Sequence, residues 1–126
     1  MNAQSPGVVR RTLSRLATSA KEHEAAELRE GCVDVGATLV ADLPPREQVS
    51  VAGTLRTVTL RPRAGVPALV AELYDGSGTI SIVWLGRRQI PGIDPGRAIK
   101  VWGRISCHDG RRLLYNPRYE LMPSGT

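Results

Sequence analysis

Cysteine and histidine are scarce in this chain, with two of each. Cys32 and Cys107 lie far apart, no CxxC occurs, and only Cys107 and His108 are neighbours. A structural zinc site takes four Cys or His ligands in paired spacings, so no metal is expected. Counting does not exclude a disulfide, but two free thiols are the default reading in a reducing compartment. No stretch approaches the roughly 18–20 consecutive apolar residues of a membrane span. The first twenty residues lack the apolar run of a secretory signal, which leads us to expect a cytoplasmic protein without membrane contact.

Catalytic inventory is equally thin. His23 and His108 have no Ser or Cys plus carboxylate at a motif spacing, and GRRQIPG is no phosphate loop because GxxxxGK[ST] is absent. The run Asp75-Gly76-Ser77-Gly78 reads as a turn rather than an acid–base or metal element. The expectation is a protein that is not an enzyme and carries no cofactor.

What is present is one domain's worth of core. The 126 residues are 41% hydrophobic and 23% charged, ordinary for a single globular unit. Positive charge is unevenly placed. Residues 1–45 hold five basic and six acidic groups, and residues 46–126 hold twelve basic and six acidic, a segment net of +6. Fifteen of the seventeen basic residues are Arg, as codon bias would give, but codon bias does not place the excess on one segment. A basic body of this kind is the electrostatic footprint of a polyanion binder.

Periodicity divides the chain at the same place. In residues 6–30, Val9, Leu13, Leu16, Ala17, Ala20 and Leu28 recur at helical steps. Ser5–Pro6 suits an N-cap and first helical position, and Gly31 suits the residue past the end. The apolar stripe is narrow, so this helix should lean on the rest of the chain or on a partner. Residues 31–45, closed by Pro44–Pro45, read as a connector with one brief extended piece. The expected division is therefore 1–45, helix and connector, and 46–126, the main domain.

After Pro45 the pattern alternates. Val49, Val51, Gly53 and Leu55 share one parity of a first strand, with Gly53 as a bulge or bend. ALVAELY is a second strand and TISIVWLG a third. GRRQIPGIDPG allows at most one helical turn. RAIKVWGRISC is a fourth strand and RRLLYNPRYEL a fifth, in which Pro117 marks an edge or a split. Five strands, interrupted between the third and fourth, give a mainly β protein: a five-stranded Greek-key barrel of the OB-fold with an N-terminal α-helical extension. An SH3-like barrel fits the long Gly-bent strands less well.

On the fourth strand, Lys100, Trp102 and Arg104 form a cation–aromatic–cation row suited to bases and phosphates. Trp102 could equally be core beneath the N-terminal helix. Trp84 sits on a strand that is apolar on both parities, and the core reading is preferred over stacking. Arg87 and Arg88 follow Gly86 and can splay to meet phosphates, or form a solvated loop. Arg61 and Arg63 flank Pro62 between the first two strands, and Arg111 and Arg112 lie between the last two, the two loops OB-folds use for ligands. Arg118 either joins them or pairs with Glu120. With no Phe, two Trp and three Tyr, stacking cannot dominate. Tyr74, Tyr115 and Tyr119, at strand ends, read as barrel plugs. Weak sequence preference and steep salt dependence follow.

The stretch LYDGSGTISIVWLGRRQIPGIDPGRAIKVWGRISCHDGRRLLYNPRYELM resembles the wedge OB domain of RecG-type branch-migration helicases. The likeness spans residues 47–122 and lies in DGSG, the PG-closed loop, the WG pair and NPRYE. More loosely, it is similar to the anticodon-binding OB-folds of aminoacyl-tRNA synthetases. With its helical extension it looks like the small actinobacterial OB-fold nucleic-acid-binding proteins. The resemblance implies binding of DNA or RNA, DNA favoured, with single-stranded or branched forms ahead. It departs in having no helicase motor motifs, and in Trp84–Leu85 where the wedge has two successive aromatics. The alternative is a protein-interaction or self-association module that docks through helix 6–30.

Overall fold

The computed structural model describes residues 4–123, and side chains from Leu16 onward. One helix, α1 (Gln4–Asp34), precedes six strands: β1 (Gln48–Leu60), β2 (Ala68–Tyr74), β3 (Thr79–Leu85), β4 (Ala98–His108), β5 (Arg111–Tyr115) and β6 (Arg118–Leu121). The pairing order β1-β2-β3-β5-β4 closes on itself through β1–β4. The β3–β5 pair is parallel and the others are antiparallel. This is the expected five-stranded OB barrel, with its fifth strand broken in two. Both β5 and β6 pair with β4, on either side of a one-residue register step at Asn116–Pro117.

That break has a local cause. Asn116 adopts φ 48°, a left-handed conformation that Asn tolerates better than most residues. Its Oδ1 accepts the Leu85 backbone N–H at 2.8 Å, so the end of β3 stays tied to the break by a side-chain acceptor where the regular ladder stops.

The long strand β1 serves two neighbours, β4 over Gln48–Thr54 and β2 over Thr54–Leu60. At Gly53 a Cβ would lie 2.4 Å from the Tyr74 carbonyl oxygen, so only glycine fits the crossing. The bulge expected there falls instead at Arg56, where the register with β2 slips. Beside it, the Leu55 backbone pairs with Gly96 and Arg97.

One parity of every barrel strand fills the interior. Val51 and Leu55, Leu73, Ile80 and Ile82, Ile99 and Val101, Ile105 and Leu114 are all essentially inaccessible. Val40 and Leu43 from the connector, and Ile90 and Ile93 from the β3–β4 loop, complete this core. Residues 86–97 contain no helix.

The helix departs from expectation at both ends. Ser5 and Pro6 are inside it, Pro6 in the first turn where a missing N–H costs little. Gly31 does not end it. The stop is at Gly36 (φ 78°), where Gly36 N–H bonds Val33 O and Ala37 N–H bonds Cys32 O, a Schellman closure. Val9 and Leu13 of the expected apolar stripe lie outside the described side chains. Leu16, Ala17 and Ala20 are exposed, and contact with the barrel begins at Ala25. From there Cys32 and Ala37 pack on Ala52 of β1. Arg29 bonds the Gly76 carbonyl at 2.9 Å.

The connector is extended at Leu39 and at Leu43, and between them lies a 3-10 turn, Val40–Asp42, that the sequence reading did not include. It is held by Asp75, which is fully buried. The carboxylate accepts Val40 N–H at 2.7 Å, Ser77 N–H at 2.9 Å, the Ser77 hydroxyl at 2.7 Å and Gly78 N–H at 3.2 Å. The DGSG turn is thus a structural clasp joining the β2–β3 hairpin to the connector.

Candidate functional site

The outer face of β2 and β3 forms the floor of a groove of about 420 Å³. Register lays the floor out in two rows. Thr59, Val70, Val83 and Tyr115 make one, and Thr57, Glu72, Ser81 and Leu113 the other. Val83 and Leu113 are buried against Ala68, Val70 and Tyr115 in a cluster separate from the barrel interior. This explains why β3 is apolar on both parities: one serves the core, the other this floor.

Both rims are short hairpins. On one side the β1–β2 ladder continues past the strands through bonds from Arg61 N–H to Ala68 O and from Arg63 N–H to Val66 O, both 2.8 Å. Ala64 (φ 50°) and Gly65 (φ 80°) form its tip, positive φ at both central positions being the mark of a primed two-residue turn. Arg61 and Arg63, two residues apart, both line the groove. Arg63 also donates to the Tyr115 hydroxyl at 3.2 Å. On the other side Asp109 (φ 52°) and Gly110 (φ 76°) make the same kind of turn between β4 and β5. It brings His108, Asp109 and Arg111 to the opposite rim. His108 Nε2 stands 3.6 Å from Asp109 Oδ2 in full exposure to solvent.

Three arginines and two carboxylates, Glu72 and Asp109, therefore face one groove. Its hydroxyls and apolar floor can carry flat groups while the rims hold anions. Among the described residues no cluster of three potential metal ligands occurs. Among the described residues the one shifted titration is remote from the groove: burial, with the Asp75 carboxylate adding to it, pushes the Cys32 thiol up to about 11.

The other sequence-selected residues are distributed elsewhere. Arg111 and Arg112 are the first two residues of β5 rather than loop residues, and they point apart. Arg112 Nη1 donates to Leu43 O at 3.2 Å. Lys100 Nζ donates to Val35 O at 2.5 Å and Arg104 Nη1 to Arg46 O at 3.2 Å. Lys100 and Arg112 are struts between the barrel and the connector, and Arg104 ties β4 to the residues just before β1. Arg87 and Arg88 are exposed on a turn tied to the base of the β1–β2 loop by Gly86 N–H to Pro67 O, but they do not line the groove.

The tryptophans separate. Trp84 is 5% exposed within the barrel core, its Nε1 bonded to Pro117 O at 3.3 Å and its ring edge-on to Tyr119. Packed in the core, it has no surface for a base, which bears out the preferred core reading and corrects the stacking role offered beside it. Trp102 is half-buried on the outside of β4, with Lys100 at 5.2 Å and Arg118 at 5.8 Å from its ring. It faces away from the groove, across the barrel. None of the three tyrosines belongs to the core cluster, so the barrel-plug reading fails: Tyr74 carries Arg56 at 4.1 Å on the outer surface, and Tyr119 is 39% exposed.

Sequence reasoning missed the floor: Thr57, Thr59, Val70, Glu72, Ser81 and Val83. The signal was available in the outward parity of β2 and β3, once those strands are placed next to both loops.

Comparison with known proteins agrees with this architecture. The tRNA anti-codon family model, described as an OB-fold nucleic acid binding domain, matches residues 49–124. The chain is similar to a solved structure of RecG bound to a three-way DNA junction, with 22% identity and a TM-score of 0.53. That alignment covers 68% of this chain but only 12% of the RecG chain. It is also similar to a replication protein A heterotrimer bound to single-stranded DNA, with 13% identity, a TM-score of 0.50, and 71% and 74% of the two chains covered. At these identities the likeness is one of fold. No curated protein sequence matches the chain.

Proposed function

We propose, from the premise that this chain belongs to the family of OB-fold nucleic acid binding domains, that it is a non-catalytic binder of single-stranded or branched nucleic acid, DNA ahead of RNA. The strand lies across β2 and β3, with phosphates on Arg61 and Arg63 at one rim and Arg111 at the other. The observation that carries this reading is the placement of arginines on two tight hairpins either side of an apolar and hydroxyl-bearing floor. Preference for DNA draws its support from the DNA in both similar structures.

Arg87 and Arg88 extend the basic surface beside the first rim and add phosphate contacts to longer strands. Lys100, Trp102 and Arg104 contribute less than their pattern implies, because both cations already bond backbone carbonyls. Fluorescence anisotropy with labelled single-stranded, duplex and forked DNA and single-stranded RNA tests the proposal. Each phosphate held on a single strand contributes a salt slope of about −0.7, so the three groove arginines predict a slope of about −2. No binding to any form at about 50 mM salt would defeat the reading.

A second reading, self-association or protein docking through α1, is favoured by the continuous exposure of Leu16–Glu24. It predicts a stable oligomer or complex indifferent to salt, which sedimentation at low and high salt would detect.

A further inference from the structure

We infer that Glu72 makes the groove read guanine. This rests on the proposed function and goes beyond it, since rim arginines alone give no base preference.

Glu72 occupies the centre of the floor, opposite Thr57 on β1 and Ser81 on β3. It is exposed and lines the groove together with three arginines. Yet neither of the two ion pairs among the described residues includes it. Glu72 also borders the adjoining cleft against α1, which Lys21 and Arg56 line as well, but Arg56 is stacked on Tyr74 and neither cation forms an ion pair with Glu72. Asp109, the groove's other carboxylate, is on the rim and 89% exposed beside His108. Glu72 is therefore an unpartnered anion on the floor of a polyanion site.

Such a group repels any phosphate that approaches it. The backbone must keep to the arginine rims, which turns the bases inward over Val70 towards Glu72. An ionised carboxylate only accepts hydrogen bonds, and its two oxygens take two parallel donors best. Guanine alone among the bases presents two adjacent donors, N1–H and N2–H, on its pairing edge. Cytosine and adenine offer one amino group beside a ring-nitrogen acceptor, and thymine and uracil offer one N–H between two carbonyls. The Thr57 and Ser81 hydroxyls, which both donate and accept, flank the carboxylate and suit the rest of that edge.

The test uses oligonucleotides of about ten nucleotides, within the range one OB-fold covers. Each is thymine with a few central positions replaced by guanine, by hypoxanthine or by nothing. Hypoxanthine keeps N1–H and lacks only the exocyclic amine. We expect guanine to bind about tenfold tighter than thymine, as for one good bidentate base contact, with hypoxanthine between. Glu72→Gln replaces one acceptor with a donor and should collapse the guanine advantage, with the circular dichroism spectrum unchanged. Equal binding of all three strands by the native protein would overturn the inference and leave the proposed function intact. So would a uniform gain for every strand on Glu72→Gln, which would make Glu72 a simple phosphate repeller. Failure to bind any of the strands would defeat the proposed function itself, and the guanine reading with it.

Discussion

Arg111 and Arg112 are adjacent in sequence and point to opposite sides of β5, so replacing each with alanine should give opposite results. Arg111 lines the groove, whereas Arg112 reaches Leu43 O, the carbonyl of a core residue in the connector. Loss of one phosphate contact to a single strand flattens the salt slope by about 0.7, so affinity changes about 2.6-fold less over a fourfold rise in salt. Arg111→Ala should show this flattening and melt as the native protein does. Arg112→Ala should keep the native slope and lose the strut, costing about 1 kcal/mol, or about 4 °C in melting temperature. Anisotropy titrations at several salt concentrations read the first effect, and thermal melting followed by circular dichroism reads the second. A slope flattened equally by both variants would refute the assignment of the groove.

Four further outcomes follow from the fold. Asp75→Ala removes the acceptor of four hydrogen bonds and strands buried donors, so it should cost about 3 kcal/mol or more in urea unfolding; a loss under about 1 kcal/mol would contradict the clasp. Cys107 is exposed and should react with a thiol reagent in the native protein, while Cys32, buried and bonded to Ala52 O, should react only on unfolding. The Cys32 thiol is raised from its ordinary 9.0 to about 11, so its contribution to stability is complete below pH 9 and is lost as pH rises from 9 through 11, measurable as a falling urea midpoint. Trp84→Ala should cost about 3–5 kcal/mol as a core deletion and Trp102→Ala about 1 kcal/mol or less, and the reverse order would place the wrong tryptophan in the core.

The strands were legible because alternation, the DGSG and HDG turns, and Pro117 all act locally. Three features were not, each for a reason outside its own segment. The helix passes Gly31 and stops at Gly36 because the latter completes a Schellman closure whose following residue, Ala37, packs with Cys32 on Ala52. Nothing in VGATLVAD announces a 3-10 turn, since its holder is a carboxylate 35 positions away. Trp84 stood on a strand with no polar face, so parity could not sort core from floor until Val83 and Leu113 were seen to share a second cluster.

The candidate site was half legible. Arg61, Arg63 and Arg111 were chosen because they flank turns, and the barrel brings them to one groove. Arg112 was chosen on the same ground, and Lys100 and Arg104 as one face of a strand, but their partners are backbone carbonyls at Leu43, Val35 and Arg46. Part of the basic excess of residues 46–126 therefore fastens the connector to the barrel. Charge counting alone cannot divide cations that hold the fold from cations that face a ligand.

The central claim is where the strand lies, and the most direct test is amide chemical-shift mapping as a short single-stranded oligonucleotide is titrated in. The account predicts shifts concentrated on Thr57, Val70, Glu72, Ser81 and Val83 and on the two rim hairpins, with the outer face of β4 and β6 quiet. Shifts gathered instead around Trp102 and Arg118 would put the strand on the opposite side of the barrel and contradict it.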